Sequence, residues 1–577
     1  MRNLFLIIII ILSFVSCRKI KKTSHNENTL HVALGNKIPT FDPALSYDTV
    51  SATVVYQCYE TLYEYHYLKR PYSIKPLLAE ELPKIVKNNT RYIIKIRKNI
   101  RYHDDPAFNG KIRFVKAQDF ITQIKRLAFI PVKSNGWWLF DNKIKGLNKF
   151  RKKAGNNIEK FHNLTVSGLN APNDHTLVID LLEPYPQMLF SLAMTFTSPI
   201  PSEIIKYYNN NLENHIIGTG PFKLHGWTKN KKILKLVKFH HYHESFYPGQ
   251  GDRKSIEMGI LKSAGQKLPF LDAVHFHILQ KTQLRWKKFL SRKLDFLLLP
   301  KDYFDNAINS KGELADNLKQ KNIHLQSAPT LTYWWLSFNM NNPLFGKNKY
   351  LRFAIAHAID MDDYIKKFTN NIGLKANSIY LPGISGYNPS NQLPYKFDIQ
   401  KAKEYMVKAG YPDGKNLPPI TFDVRGINTT AKEQASFISK ALSKINIRVL
   451  ISHNTFPEFI KKSQIGSLQF WQDGWNMDYP DAENVLQLLI SKNHPPGPNS
   501  TFYSNKKFDQ LFSEMKVVQN SDEKTKLMQK MEDLIHEDLP WIMQYYARNY
   551  ILIHDYLKNY RHSDLISNNM KYLKFER

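Results

Sequence analysis

The stretch AKEQASFISKALSKINIRVLIS, residues 431–452, places a helical pattern directly before a strand pattern. Apolar residues from Ala435 to Ile445 recur on one helix face, and the branched residues that begin at Ile447 are typical of a strand. A second amphipathic helix is predicted over 398–410, with Asp398 as N-cap and Gly410 at its end. Because helices that lie between strands pack as layers, this region predicts an α/β fold.

The same alternation extends outward along the chain. Strands are predicted at 30–35 and 91–97, two strands with an Asn-Asp turn at 164–182, and a helix at 521–540. The 577 residues, of which 42% are hydrophobic, suffice for two or three domains with a sizeable core.

The chain is strongly basic, with a formal net charge of +31. Such a charge can indicate nucleic acid or an anionic membrane as a partner. The lysines are spread along the chain rather than gathered in one arm, which favours a compositional bias. No recognition-helix pattern is present, and we expect no nucleic-acid partner.

The N-terminus predicts secretion and a lipid anchor. The apolar run 4–15 is too short to span a bilayer, which takes roughly 20 residues, and suits a signal peptide over 1–16. The small residues before Cys17 resemble a bacterial lipobox, which implies that Cys17 is lipidated. The alternative is an ordinary signal peptide that is cleaved elsewhere. Residues 17–29 are basic and polar, as in a tether beside a membrane.

Motifs of enzymes and nucleotide sites are missing. The sequence has no G-x-x-x-x-G-K-[ST], G-x-G-x-x-G, H-E-x-x-H or G-x-S-x-G. The histidines of FHHYHE, residues 239–244, could bind a metal, but such clusters are more often surface accidents. We therefore expect no catalysis, cofactor or metal.

The segment QDGWNMDYPDAENVL, residues 472–486, sets four carboxylates beside Trp475 and Tyr479. A catalytic dyad, a metal site, a solvated turn and a pocket for a cation are all compatible with this composition. Asp473, Asp481 and Glu483 are expected to cap the following helix or to face water.

Several stretches, in order, resemble the peptide- and nickel-type solute-binding proteins of bacterial ABC importers. They cover residues 30–555, and each is weak by itself. The stretches are IPTFDPALSYDTVSATVVYQCYETLYEY (38–65), KPLLAEELP (75–83), YIIKIRKNIRYHDD (92–105), VKAQDFITQIKRL (115–127), IIGTGPFKLHGW (216–227), WLSFNMNNPLFGKNKYLRFAIAHAIDMDDYI (335–365), AKEYMVKAGYPDG (402–414), GWNMDYPDAENVL (474–486) and DEKTKLMQKMEDLIHEDLPWIMQYY (522–546).

The resemblance implies an α/β, two-lobed periplasmic-binding-protein-like fold of type II, with a hinge, an extra subdomain and a ligand cleft between the lobes. Lobe closure over a ligand would then be a hinge motion. The implied division is lobe I at 30–60, 186–286 and 541–577, an accessory subdomain at 61–185 and lobe II at 287–540.

The resemblance also implies roles for particular residues. Asp478 would receive the α-ammonium of a peptide, and the backbone at Gly474 and Asn476 would pair with the peptide main chain. Trp475 and Tyr479 would wall the cleft. From the opposite lobe, three consecutive residues are candidates to line it, namely Ser46, Tyr47 and Asp48.

The resulting hypothesis is a monomeric, lipid-anchored protein of the periplasm or cell surface. It would capture peptides and deliver them to an ABC permease with separate ATPase subunits. Two alternatives remain. The same fold could bind a nickel complex, an opine or an oligosaccharide, or the protein could be a surface adhesin or sensor.

Overall fold

The computed structural model describes residues 28–309, 312–369, 372–427, 429–495, 497–518 and 521–576. The predicted signal peptide, Cys17 and the tether up to residue 27 lie outside these residues. No helix in the described ranges is long and apolar enough to cross a membrane.

The first half of the chain contains short strands and helices. In chain order they are β1 (Thr29–Leu34), α1 (Thr49–Cys58), β2 (Tyr63–Tyr65), β3 (Ile74–Pro76), β4 (Lys84–Val86), β5 (Arg91–Lys95), α2 (Ala117–Ala128), α3 (Leu147–Ala154), α4 (Ile158–Asn163), β6 (Leu169–Asn173), β7 (Thr176–Asp180), α5 (Met188–Ser191), α6 (Ser202–Tyr207), β8 (Phe222–Trp227), β9 (Ile233–Lys238), α7 (Arg253–Glu257), β10 (Ala273–Ile278) and α8 (Thr282–Leu290).

The second half contains the longest elements. They are β11 (Phe296–Leu298), α9 (Phe304–Ala307), α10 (Asp316–Lys319), β12 (Ile323–Phe338), α11 (Pro343–Gly346), α12 (Lys349–Ala358), α13 (Met361–Thr369), β13 (Leu374–Lys375), α14 (Ile399–Lys408), β14 (Ile420–Arg425), α15 (Thr429–Ser443), β15 (Val449–Asn454), α16 (Phe456–Gln464), β16 (Phe470–Asn476), α17 (Glu483–Leu486), α18 (Lys506–Val517), α19 (Ser521–Asp538), β17 (Trp541–His554), β18 (Leu557–Lys558) and β19 (Lys574–Phe575).

Two four-stranded sheets share one hydrophobic core. The first has the order β1-β10-β9-β8, with β1 parallel to β10, and the second has the antiparallel order β4-β5-β7-β6. Val274 of the first sheet and Ile94 of the second belong to the same buried cluster. The second sheet lies within the predicted accessory subdomain and shares this continuous buried core with the sheet of lobe I.

A buried ion pair ties helix α2 to the segment after β1. Arg126 Nη2 lies 2.7 Å from Asp42 Oδ2, and the side chains are 0% and 3% exposed. Because a charge buried without a partner is costly, this pair fixes the position of α2 against lobe I.

The third sheet has the order β11-β17-β12-β16-β14-β15, with β13 attached to β17. The predicted helices at 398–410 and 431–445 are found as α14 and α15, and they pack on this sheet in one buried cluster. The prediction of α/β layers from this region is therefore confirmed.

Strands β12 and β17 are long and antiparallel, and they connect the two halves of the molecule. At one end Ile551 and Ile553 join the core of the four-stranded sheets, and at the other end Leu336 and Ile542 join the core of the third sheet. The pairing shifts register between Pro329 and Tyr333. The predicted boundary at 541 counts β17 with lobe I, whereas its backbone pairs with β12 in the third sheet. The rest of the division stays a proposal.

The turn 218–220 packs on helix α1, and its glycines are required by space. A Cβ atom on Gly218 would lie 1.9 Å from the carbonyl oxygen of Cys58, and one on Gly220 would lie 2.7 Å from its carbonyl carbon. Cys58 itself is fully buried. This contact holds the start of β8 against lobe I.

Candidate functional site

The acidic motif lies where the third sheet faces the other lobe. Strand β16 ends at Asn476, and the chain turns through Asp478 into the short helix α17. Met477 N donates to the carbonyl of Leu331 at 2.9 Å, so the turn stays attached to β12. This attachment fixes the position of the Asp478 carboxylate.

Asp478 meets the opposite lobe through Tyr47. The phenol of Tyr47 donates to Oδ1 at 3.0 Å, and the amide of Asn484 donates to Oδ2 at 3.4 Å. Burial raises the pKa of Asp478, while the hydrogen bonds from Tyr47 and Asn484 lower it by less. Among the described residues, no cationic side chain contributes to this pKa. The site therefore holds a half-buried carboxylate for which the described residues supply no balancing cation.

Tyr47 is held as a proton donor. Burial, followed by the charge and the hydrogen bond of Asp478, raises its pKa to about 12. The phenol therefore stays protonated at neutral pH. Its ring also lies 6.0 Å from the ring of Phe196, which positions it at the surface of lobe I.

Trp475 and Tyr479 are positioned by polar contacts of their rings. Trp475 Nε1 donates to Asn484 Oδ1 at 2.8 Å, and the hydroxyl of Tyr479 donates to the carboxylate of Glu483. Tyr479 also stacks on Phe190 from the other lobe, with centroids 5.6 Å apart. Both aromatic rings line the cavity described below, as the resemblance implies.

The expectation that Glu483 and Asp473 cap a helix or face water is wrong. Glu483 is 7% exposed, and Asp473 accepts hydrogen bonds from Trp471 Nε1 at 3.1 Å and from Gly474 N at 2.9 Å. Burial raises the pKa of both carboxyl groups. Asp481 does cap, since its Oδ1 accepts from the backbone of Glu483 at 2.9 Å, and its Oδ2 pairs with Lys524 at 2.7 Å.

Gly474 and Asn476 lie in the ladder between β16 and β12. A Cβ atom on Gly474 would lie 2.7 Å from the ring of Trp334, so this position requires glycine. Asn476 pairs with Thr332, whose hydroxyl donates to Asn476 Oδ1 at 2.9 Å. In the described chain the ladder between β14 and β16 covers only Phe470 and Trp471 on β16. Gly474 and Asn476 lie beyond that ladder.

The three candidates from lobe I have different environments. The ring of Tyr47 lines the cavity, whereas Ser46 is 3% exposed. Asp48 Oδ1 accepts from the backbone of Val50 and Ser51 at 3.0 and 2.8 Å, as the N-cap of α1. This capping role accounts for the position of Asp48, and a role of Ser46 or Asp48 in ligand binding stays a prediction.

A cavity of about 480 Å³ lies between the lobes, within the range of roughly 300–1,000 Å³ that small ligands occupy. Its lining brings Tyr47, Trp475, Asp478 and Tyr479 together. The further lining residues are Trp138, Asp141, Asn142, Lys143, Glu183, Pro184, Tyr185, Glu483, Gln487, Ile490, Lys492, Asn493, Phe512 and Lys516.

Three lysines of this lining give the cavity cationic groups beside its carboxylates. Lys143 Nζ donates to the hydroxyl of Tyr185 at 3.2 Å, and burial lowers its pKa to about 8. Lys516 and Lys143 both lower the pKa of Glu483, which burial otherwise raises. Together with Lys492, these groups can receive an anionic part of a ligand.

Sequence reasoning missed most of this lining. Trp138 forms part of the cavity wall, although no motif marks it. Lys143, Lys492 and Lys516 come from three separate segments, and no local pattern marks them.

The histidine cluster at 239–244 has another role. His243 Nε2 lies 2.9 Å from Glu60 Oε2, which also accepts from Thr219 at 3.0 Å. In the part of the chain that the structure describes, no group of three or more His, Cys, Asp and Glu side chains could hold a metal ion. Through His243 the cluster thus contributes an internal hydrogen bond to lobe I.

The two lobes, the long connecting strands and the cavity between them define a type II periplasmic binding protein. Residues 73–496 match the family model of the bacterial extracellular solute-binding proteins, family 5 (middle region). The chain belongs to this family, whose members include the peptide- and nickel-type solute-binding proteins of ABC importers.

Individual relatives agree with this assignment. The glutathione-binding protein GsiB of Salmonella choleraesuis (strain SC-B67) is 26% identical over 518 residues, which cover 89% of this chain and 87% of GsiB. The periplasmic binding protein DppA of Helicobacter pylori, solved with the peptide STSA, is 25% identical, with a TM-score of 0.67 over 96% of this chain and 99% of DppA. HbpA2 of Haemophilus parasuis shares the fold, with a TM-score of 0.77 at 20% identity over 95% of this chain and all of HbpA2.

Proposed function

We propose that this protein captures short peptides in the cavity between its lobes and delivers them to an ABC permease, without catalysis. The observation that carries the proposal is the Asp478 carboxylate, which lies half-buried beside Tyr47 without a cationic partner among the described residues. A peptide α-ammonium supplies both the missing charge and hydrogen-bond donors. The peptide complex of DppA supports this cargo class.

The remaining features of the cavity support a peptide over a neutral solute. Lys143, Lys492 and Lys516 provide cationic groups for a carboxylate, while Trp475 and Tyr479 provide apolar walls. The backbone of β16 beyond Trp471 offers groups that an extended peptide main chain can pair with. Because binding must also drive lobe closure, an affinity in the micromolar range, about −8 kcal/mol, suffices.

We further propose that the chain is secreted, that Cys17 carries the lipid anchor, and that the protein acts as a monomer. The anchor would hold the body near the permease while the lobes open and close. A tether that runs from Cys17 to the start of β1 at Thr29 would let the body reach the permease.

Calorimetry with the chain from residue 24 tests the peptide proposal, since every described residue lies within it. Di- to pentapeptides are compared with free and acetylated N-termini. We expect binding of the free peptides and a loss of roughly 30- to 1,000-fold on acetylation or in Asp478→Asn, as for a buried charge that loses its partner.

Asp481→Asn is the matched control, because it removes a carboxylate of the same motif that caps α17 and pairs with Lys524. It should bind peptides as the parent chain does. If acetylation is harmless, or if no peptide binds, the peptide proposal fails. Mass spectrometry of the co-purified solute would then distinguish a nickel complex, an opine and an oligosaccharide.

A further inference from the structure

A basic groove lies on lobe I, at one end of the sheet β1-β10-β9-β8. It is formed by the turn 228–233 between β8 and β9, by Ile278 and Leu279 after β10, and by Leu284 and Lys288 of helix α8. Its volume is about 560 Å³, and it shares no lining residue with the interlobe cavity. The groove is thus a separate surface feature.

The two segments that meet in the basic groove carry only positive charge. Residues 222–238 contain six lysines, residues 279–294 contain six lysines and arginines, and neither segment contains an aspartate or glutamate. The whole chain has 81 basic and 50 acidic residues. If the positive charge of these two segments came only from the composition of the whole chain, the segments would contain acidic residues as well.

These cations are available to a partner. Lys229, Lys231 and Lys232 are exposed, and none of the ion pairs recorded among the described residues involves them. Burial and the neighbouring Lys293 both lower the pKa of Lys288. The positive charge of the groove is therefore concentrated rather than neutralised.

Two apolar side chains are exposed beside the lysines. Trp227, which ends β8 next to the groove, is 38% exposed, and Leu284 in its lining is 42% exposed. Tryptophan and aliphatic side chains next to lysines match the boundary between lipid headgroups and acyl chains. A soluble anionic polymer has no matching apolar layer, so the combination favours a lipid surface.

The predicted anchor is within reach of this surface. Strand β1 starts opposite Ala273, and the groove lies beyond Ile278, one strand length of about 20 Å away. Residues 18–27 can extend to at most about 35 Å. A lipid on Cys17 would therefore allow the basic groove to contact the membrane that holds the anchor.

We propose that the basic groove docks lobe I on anionic phospholipid headgroups, so that the protein rests on the membrane surface in one orientation. The docking involves neither the interlobe cavity nor its solute. Lysines attract the headgroup phosphates, and Trp227 and Leu284 enter the interface below them.

Co-sedimentation with vesicles tests this proposal, again with the chain from residue 24. This chain lacks Cys17 and the basic residues 18–22 that follow it, but it keeps every described strand and helix. Vesicles of phosphatidylcholine alone are compared with vesicles that contain phosphatidylglycerol. We expect binding only to the anionic vesicles, and weaker binding as salt is raised.

The groove variant is Lys229→Gln, Lys231→Gln and Lys232→Gln combined. The control variant removes the same charge at three exposed lysines of the accessory subdomain, namely Lys149→Gln, Lys152→Gln and Lys153→Gln. The groove variant should bind anionic vesicles roughly 30- to 100-fold more weakly, and the control should lose much less. Unchanged thermal unfolding shows that each variant is folded.

Three results would overturn the proposal. One is equal binding to neutral and anionic vesicles. Another is an equal loss in both variants, which would assign the attraction to net charge. The third is tighter, groove-dependent binding of heparin than of vesicles, which would make the groove a site for an anionic polymer.

Discussion

The phenol of Tyr47 donates a 3.0 Å hydrogen bond to the carboxylate of Asp478, although 431 positions separate the two residues in the chain. Tyr47 belongs to lobe I and Asp478 follows a strand of the third sheet, so this bond joins the two walls of the cavity. A ligand ammonium beside Asp478 would therefore contact the point where the lobes meet. Under the proposed function, solute capture and lobe closure would be coupled at this pair.

Tyr47→Phe should weaken peptide binding about tenfold, because a hydrogen bond to a charged group is worth roughly 1.5–3 kcal/mol. The ring and its packing on Phe196 remain. Calorimetry with a free-amine peptide measures the loss. Tyr207→Phe, an exposed tyrosine, is the control and should have no effect. An unchanged affinity in Tyr47→Phe would show that the bond does not contribute.

Peptide affinity should fall as the pH falls. Burial raises the pKa of Asp478 in the empty cavity, and a bound ammonium would lower it again. Binding therefore favours the deprotonated carboxylate, and affinity is lost as the pH drops through the pKa of the empty state. Calorimetry between about pH 4 and pH 7 measures this slope. In Asp478→Asn the affinity should no longer depend on pH in this range. If the pH dependence persists in that variant, it arises from another titrating group.

The lysines of the cavity should favour peptides with a free C-terminal carboxylate over peptides with a C-terminal amide. Lys143→Met and Lys516→Met together should weaken binding of peptides with a free C-terminus about tenfold, as expected for lost hydrogen bonds between charged groups. C-terminally amidated peptides should be insensitive to the two substitutions. A similar loss for both kinds of peptide would mean that the lysines act on the shape of the cavity rather than on charge.

Arg126→Met should destabilise the protein by about 3–5 kcal/mol, because it leaves Asp42 buried without its cation. Arg253→Met, which breaks the exposed pair with Glu257, should cost less than about 1 kcal/mol. Chemical unfolding of both variants measures the difference. Equal effects would contradict the assignment of Arg126 as a structural anchor of α2.

The sequence by itself determined the fold class, and it pointed to the motif that contains Asp478. Apolar spacing within 431–452 sets a helix and then a strand, and this pattern is local, so it can be read without the structure. The ordered resemblance identified the family to which the chain belongs. One motif of that resemblance contains Asp478, Trp475 and Tyr479, and the structure brings these three residues to one cavity.

Only the tertiary structure decided which other residues complete that cavity. Lys143 and Lys516 come from segments far from Asp478 in the chain, and no spacing in the sequence encodes their juxtaposition with it in the cavity. Burial, too, is a property of the packed molecule. The polarity of Glu483 and Asp473 predicts that they lie in a solvated turn. Packing instead removes their carboxyl groups from water, which raises their pKa values.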